Sequence, residues 1–156
     1  MIYREYADIV RTGMEYGRIG ARFQPCFSSD GLSVEYAYAR CVRESPGGAE
    51  AGDDIGRRLS ESHGICALDW YMADLSCAFL KRLKESGWEG ARVITGFSIR
   101  HAYEHDTAEH LCGMADSYGI SHGSDIVNIT LHFLLVHPVT KLAMQPLLMN
   151  HNTFSF

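Results

Sequence analysis

The 156-residue chain lacks long hydrophobic runs. Its longest mainly apolar stretch lies near Leu131–Val136, whereas a membrane-spanning helix needs about 20 apolar residues. We therefore expect no membrane span.

The chain also begins without a basic segment followed by an apolar one, so we expect no Sec-type export signal. Basic residues are few: 14 Lys and Arg stand against 19 Asp and Glu, a net charge of −5. This acidic balance works against nucleic acid as a partner.

The composition that remains is typical of a globular protein. Hydrophobic residues make up 46% and charged residues 21%, which excludes general disorder. The length is close to the commonest size for one domain, so we expect a single domain over 1–156. Five cysteines without an export signal predict reduced thiols, and with eight histidines they point to thiol chemistry or metal binding.

Hydrophobic periodicity predicts an α+β fold. The predicted elements are, in chain order, helix Tyr3–Tyr16, helix Cys66–Ser86, strand Ala91–Ile99, helix Glu104–Tyr118 and strand Ile126–Val136. The helix from Cys66 has the strongest pattern, and its first three turns are expected to be buried nearly all round. Two alternatives stay open for Phe23–Arg43: a hairpin turning at Ser29-Asp30-Gly31, or a loop followed by a helix.

Cys66 is the cysteine best placed to act as a nucleophile. Gly64 breaks the chain just before it, so its sulfur falls in the first turn of the strongest helix. Unpaired backbone N–H groups and the helix dipole would stabilise a thiolate there and lower the pKa of the thiol. A thiolate nucleophile also needs a base, and the base needs an orienting group. His122, just before the predicted strand Ile126–Val136, and His137, just after it, are the candidates.

These residues carry a resemblance to a known family. The run Gly64-Ile65-Cys66-Ala67-Leu68-Asp69-Trp70 resembles the nucleophile segment of papain-like cysteine proteases, above all the YopT-type proteases that pathogenic bacteria inject into host cells. That family places a histidine at the start of a later strand, where His122 stands, and an Asp-Pro pair about 15 residues further on, where this sequence has His137-Pro138. The resemblance implies a papain-like domain with a central buried helix packed on a small antiparallel sheet.

The transglutaminase-like core is a related alternative. It shares Gly-x-Cys and the apolar helix, and Gly90–Phe97 is similar to the strand that follows that helix. Its histidine would then be His101, whose run His101-Ala102-Tyr103-Glu104 is similar to that family's His-Ala-Trp. The helical spacing after His101 argues against this assignment.

The resemblance implies a cysteine-dependent hydrolase that acts on a protein, as a protease or a glutamine deamidase. Cys66 would attack the carbonyl carbon, His122 would accept the thiol proton, and His137 would orient the imidazole. Such an enzyme needs no cofactor and no metal. Its partner would be a protein substrate, including host proteins if the chain is a virulence effector. It would be cytoplasmic, or secreted into a host cell without a Sec signal.

Two further hypotheses come from other classes of protein. One is a non-catalytic interaction module, such as a phage- or plasmid-encoded inhibitor or a degenerate effector, consistent with the small size, the acidic charge and the missing Asp. The other is a small zinc protein. His101 and His105 have the spacing of one helix face, and with His110 or Cys112 they would supply nitrogen and sulfur ligands.

Overall fold

Helices on a mixed sheet form the part of the chain that the computed structural model describes, residues 2–45, 48–51, 55–56, 59, 64–88 and 90–120. The elements are α1 (Ile2–Glu15), β1 (Ile19–Phe27), β2 (Val34–Ser45), β3 (Gly48–Ala51), α2 (Gly64–Glu85), β4 (Val93–Ile94), a 3-10 helix (Ile99–Tyr103) and α3 (Thr107–Ser117). The α+β class predicted from periodicity is confirmed. No helix within these ranges is long and apolar enough to cross a membrane.

The sheet is built on a hairpin between β1 and β2, so the hairpin alternative is correct. The pairing is antiparallel from Ile19↔Arg43 onwards, with a shift of register near Phe27. At the turn, Gly31 has φ +70°, a backbone conformation that glycine adopts without steric cost. β3 extends the hairpin antiparallel to the end of β2, whereas β4 pairs parallel to the middle of β2. The sheet is therefore mixed, and the prediction of an antiparallel sheet is wrong.

Helix α2 covers one face of this sheet. Its buried apolar residues recur at helical spacing and are Ile65, Leu68, Met72, Ala73, Cys77 and Leu80. Phe79 stacks on Phe23 of β1 with ring centroids 3.9 Å apart, and the Tyr71 hydroxyl donates to the Ile19 carbonyl oxygen at 2.9 Å. Ala67 in the first turn is exposed. The buried surface is thus one stripe, because only the face toward the sheet and its neighbouring helices loses solvent.

Two predicted elements are shorter than expected. Of the predicted strand Ala91–Ile99, only Val93–Ile94 pairs with β2, because the Ser98 N–H donates to the Asp69 side chain at 2.7 Å and not to a strand. The 3-10 helix ends at Tyr103, Glu104 is extended, and α3 begins at Thr107, three residues after the start of the predicted helix Glu104–Tyr118. The predicted strand Ile126–Val136 lies outside the described residues.

Candidate functional site

Cys66 lies in the first turn of α2, as predicted, but its environment is not the predicted one. The thiol is partly buried beside two acidic side chains. Burial raises the pKa of the Cys66 thiol, the negative charges of Glu104 and Asp69 raise it further, and Arg100 opposes them only in part. The expectation of a lowered pKa is therefore wrong, because burial and two carboxylates outweigh Arg100 and the backbone hydrogen bond of Cys66, which act to lower it.

The imidazole that the structure brings to Cys66 is His101. One ligand atom each from Cys66, His101 and Glu104 lies within 4.8 Å of the other two. The sequence places His101 at this position only through the transglutaminase-like resemblance, against which the helical spacing after His101 argues. In the structure His101 itself lies within the 3-10 helix, and Glu104 after that helix is extended. His122 and His137 lie outside the described residues, and their placement near Cys66 stays a prediction.

His101 is held between two carboxylates. Its ring is 1% exposed, with Nδ1 2.9 Å from Glu104 Oε2 and Nε2 3.2 Å from Asp69 Oδ2. The contact with Asp69 is within ion-pair distance but is not aligned as a hydrogen bond, so Nε2 has no hydrogen-bond partner among the described residues. Trp70 and Phe97 pack edge-on against the ring at centroid distances of 5.0 and 5.1 Å. These contacts fix the orientation of the imidazole.

The two carboxylates raise the pKa of His101. Burial, the strongest influence, acts to lower it, but the interactions with Asp69 and Glu104 together outweigh burial. A pKa that is higher in the folded state stabilises the fold at acidic pH. The stabilisation is fully present below the unfolded value of about 6.5 and is lost as the pH rises through the folded pKa.

We expect the change Glu104→Gln to flatten this pH dependence. Between about pH 6 and pH 8, the free energy of unfolding should fall less in the variant, by up to about 1 kcal/mol, because the pair with His101 is half-exposed on the Glu104 side. Urea unfolding at the two pH values measures it. Glu109→Gln, an exposed position of α3 with the same charge change, is the control. Identical pH dependence in both variants would contradict the assignment.

The predicted zinc ligands do not form one site. His101 is buried, His105 is exposed, and Cys112 is partly buried on α3. His110 stacks on Trp70 with ring centroids 4.1 Å apart. Across the described ranges, the one group of three or more potential ligand atoms that converges is Cys66, His101 and Glu104. The spacing argument failed because His101 lies in the 3-10 helix and His105 in the turn before α3, so the two histidines do not share one helix face.

A cleft of about 250 Å³ opens beside this cluster. It lies at the carboxyl end of β4 and beside the middle of β2, where the two strands pair. Tyr38 and Arg40 line it from β2, Thr95 and Gly96 from the segment after β4, and Asp69 from α2. Thr95 is 1% exposed, and its Oγ1 has no hydrogen-bond partner among the described residues. A cationic residue, an aromatic residue and a residue with a buried hydroxyl therefore all border this cleft.

Sequence analysis missed the cleft residues. A signal was present in β2, where buried Ala37 and Ala39 alternate with the larger Tyr38 and Arg40. In a strand, such alternation places the two sets on opposite faces. It could have marked Tyr38 and Arg40 as side chains directed away from the core. It could not have shown that β4 lies beside them, because that pairing joins distant parts of the chain.

Comparison with known proteins identifies the fold. No protein-family profile matches the sequence, and no curated protein matches it either. Among solved structures, the phosphodiesterase PaMucR in complex with c-di-GMP matches with a TM-score of 0.75 at 9% identity, over 92% of this chain and 59% of that one. The cAMP-bound EAL enzyme Bd1971 matches with a TM-score of 0.73 at 11% identity, over 92% and 42%. The FimX EAL domain of Xanthomonas citri in complex with c-di-GMP matches with a TM-score of 0.64 at 11% identity, over 76% and 46%.

These similarities correct the predicted family and function. The papain-like, YopT-type and transglutaminase-like resemblances are wrong, since the similar structures are EAL domains and not cysteine proteases. Three further predictions are therefore also wrong: the protease or deamidase activity on a protein, the virulence-effector role and the protein substrate. The similar structures hold cyclic nucleotides. This chain spans about half the length of those proteins. What the comparisons establish is its fold, which it shares with EAL domains.

Proposed function

We propose that the chain binds a cyclic dinucleotide of the c-di-GMP type in the cleft at the carboxyl end of β4, beside the middle of β2. The observation that carries this proposal is the cleft itself, which Tyr38, Arg40, Thr95 and Asp69 border. The fold adds support, because two of the similar structures described above hold c-di-GMP. The residues that line the cleft include types that suit the phosphate and the base of such a ligand.

Each half of a cyclic dinucleotide offers a charged phosphodiester, a ribose and a flat base. Arg40 is exposed, and its guanidinium has the forked donors that suit a phosphate. Tyr38 has a ring on which a base can stack. At Gly96 an added Cβ would meet no atom within 4 Å, so the ligand can approach the backbone closely there.

We expect the change Tyr38→Ala to weaken binding of c-di-GMP about 5- to 150-fold, because loss of base stacking costs about 1–3 kcal/mol. Isothermal titration calorimetry with c-di-GMP measures the affinity. Tyr16→Ala removes the same ring from a site that is 74% exposed at the end of α1, and it should leave the affinity unchanged. Tyr38→Phe keeps the ring and should bind nearly as wild type. Equal affinities for Tyr38→Ala and Tyr16→Ala would reject the cleft as the binding site.

The role of Arg40 can be tested separately by the salt dependence of binding. Binding through a phosphate weakens as salt rises, and removal of the cation reduces that dependence. Arg40→Ala should therefore weaken binding and lower its sensitivity to sodium chloride. Arg18→Ala, an exposed arginine between α1 and β1, should change neither. If both arginine variants behave alike, the phosphate is not bound at Arg40.

Hydrolysis of the bound dinucleotide is a second candidate function. The observation that favours it is the carboxylate of Asp69 in the lining of the cleft, since phosphodiester hydrolysis needs a group that activates water. One of the similar structures is a phosphodiesterase. Chromatography of c-di-GMP after incubation with the protein would detect the linear product. Asp69→Asn should abolish product formation in a variant that still binds the nucleotide, and an equal rate in that variant would contradict the role.

A further inference from the structure

We propose that Cys66, His101 and Glu104 bind a zinc ion through the Cys66 thiolate, the His101 Nδ1 atom and a Glu104 carboxylate oxygen. This site is separate from nucleotide binding, because none of its three ligands lines the cleft. It also differs from the ligand set that the sequence predicts. It draws Cys66 from α2 and the other two residues from the 3-10 helix and its C-terminal cap.

The distances require only a small contraction. The Cys66 sulfur, one ring nitrogen of His101 and one Glu104 oxygen lie within 4.8 Å of one another, and Nδ1 is the ring nitrogen on the Glu104 side, 2.9 Å from Oε2. Zinc bonds of about 2.0 Å to nitrogen and oxygen and 2.3 Å to sulfur place tetrahedral ligands roughly 3.3–3.6 Å apart. The imidazole and carboxylate are thus already close to their separation in a zinc site, and the sulfur has at most about 1.5 Å to move.

Asp69 contacts the ring nitrogen of His101 that would not bind the metal. When a metal binds one imidazole nitrogen, the other carries the proton and usually donates it to a carboxylate. His101 Nε2 lies 3.2 Å from Asp69 Oδ2 and has no aligned hydrogen bond among the described residues. The Ser98 N–H holds that same oxygen at 2.7 Å. Zinc on Nδ1 fixes the tautomer in which the buried Nε2 carries a proton facing Asp69, and it replaces the contact between Nδ1 and Glu104.

The ligand types and their exposure favour zinc over a hard cation. A thiolate and an imidazole are poor ligands for magnesium and calcium, whereas zinc combines sulfur, nitrogen and oxygen in one tetrahedral site. Glu104 is exposed and Cys66 is partly buried, so the metal can enter from solvent. Three protein ligands leave the fourth position of the tetrahedron to water.

Cobalt(II) is the probe for this site, because a bond from sulfur to cobalt gives a charge-transfer band in the near ultraviolet. The full chain, reduced and freed of metal, is titrated with cobalt in the absence of nucleotide. We expect saturation at one cobalt per chain, a tetrahedral visible spectrum, and displacement by one equivalent of zinc. Absence of the charge-transfer band, or a stoichiometry set by several weak sites, would overturn the proposal. Failure of c-di-GMP to bind would not affect this result.

Matched variants identify the ligands. Cys66→Ser should abolish the charge-transfer band, whereas Cys112→Ser, which changes another partly buried cysteine, should keep it. Glu104→Gln should weaken cobalt binding at least tenfold, whereas Glu109→Gln should not.

Asp69 is a positioning residue that acts through His101. Asp69→Asn should weaken cobalt binding about 10- to 100-fold while the charge-transfer band persists. Circular dichroism of each variant controls for folding. Loss of the band in Cys112→Ser, or its survival in Cys66→Ser, would overturn the proposal.

Discussion

Replacing Leu80 by Ala should lower the free energy of unfolding by about 2–5 kcal/mol. Leu80 is 0% exposed in the third quarter of α2 and belongs to the apolar cluster between that helix and the sheet. Truncation removes buried methyl groups and leaves a cavity that the surrounding side chains fill only in part. Domains are commonly stable by only about 5–15 kcal/mol, so the loss is a large share of the total.

Leu32→Ala is the matched control for that measurement. Leu32 is 87% exposed in the turn between β1 and β2, so the same truncation removes almost no buried area. We expect its free energy of unfolding to stay within about 0.5 kcal/mol of wild type. Urea titrations of both variants give the comparison. Similar stability losses at the two leucines would mean that α2 does not pack on the sheet as described.

Replacing Asp69 by Ala should destabilise the protein by about 3–5 kcal/mol at acidic pH, the usual cost of removing one partner from a buried ion pair. The carboxylate is 7% exposed. It accepts the Ser98 N–H at 2.7 Å and faces His101 Nε2 at 3.2 Å. Its removal leaves a buried imidazole cation without one of its two carboxylates and a backbone donor without its acceptor.

Asp8→Ala tests whether this effect comes from burial. Asp8 pairs with Arg11 at 2.9 Å, but both side chains are about two-thirds exposed, so the loss should not exceed about 1 kcal/mol. Urea unfolding at about pH 6 with a chelator present keeps His101 charged and excludes any contribution from metal. A small loss at both aspartates would show that Asp69 is not part of a buried pair.

The local structure of this chain follows its local sequence closely. The apolar stripe predicts α1 and α2 to within two residues at either end. Gly87, with φ +91°, ends α2 as the sequence predicts. The position of Cys66 in the first turn was also correct. These features depend on neighbours within one or two helical turns, which the sequence shows directly.

The error in family arose from the same local signal. A glycine, a cysteine and an apolar helix describe the start of a buried helix, and different folds contain such helices. The chemistry of Cys66 depends on what packs against that start. In this protein it is Glu104 and Asp69, whose negative charges raise the pKa of the thiol together with burial. No spacing in the sequence reveals those contacts.

The α+β class and the main helices could be predicted from the sequence, because hydrophobic periodicity and glycine breaks act over a few residues. Which side chains contact one another depends on the tertiary structure. It laid β4 parallel to β2, which set Thr95 beside Arg40 in one cleft, and it turned the chain after β4 so that His101 reached Cys66. The physical reason is that such contacts join segments distant in the chain, and their formation depends on how the whole core excludes water.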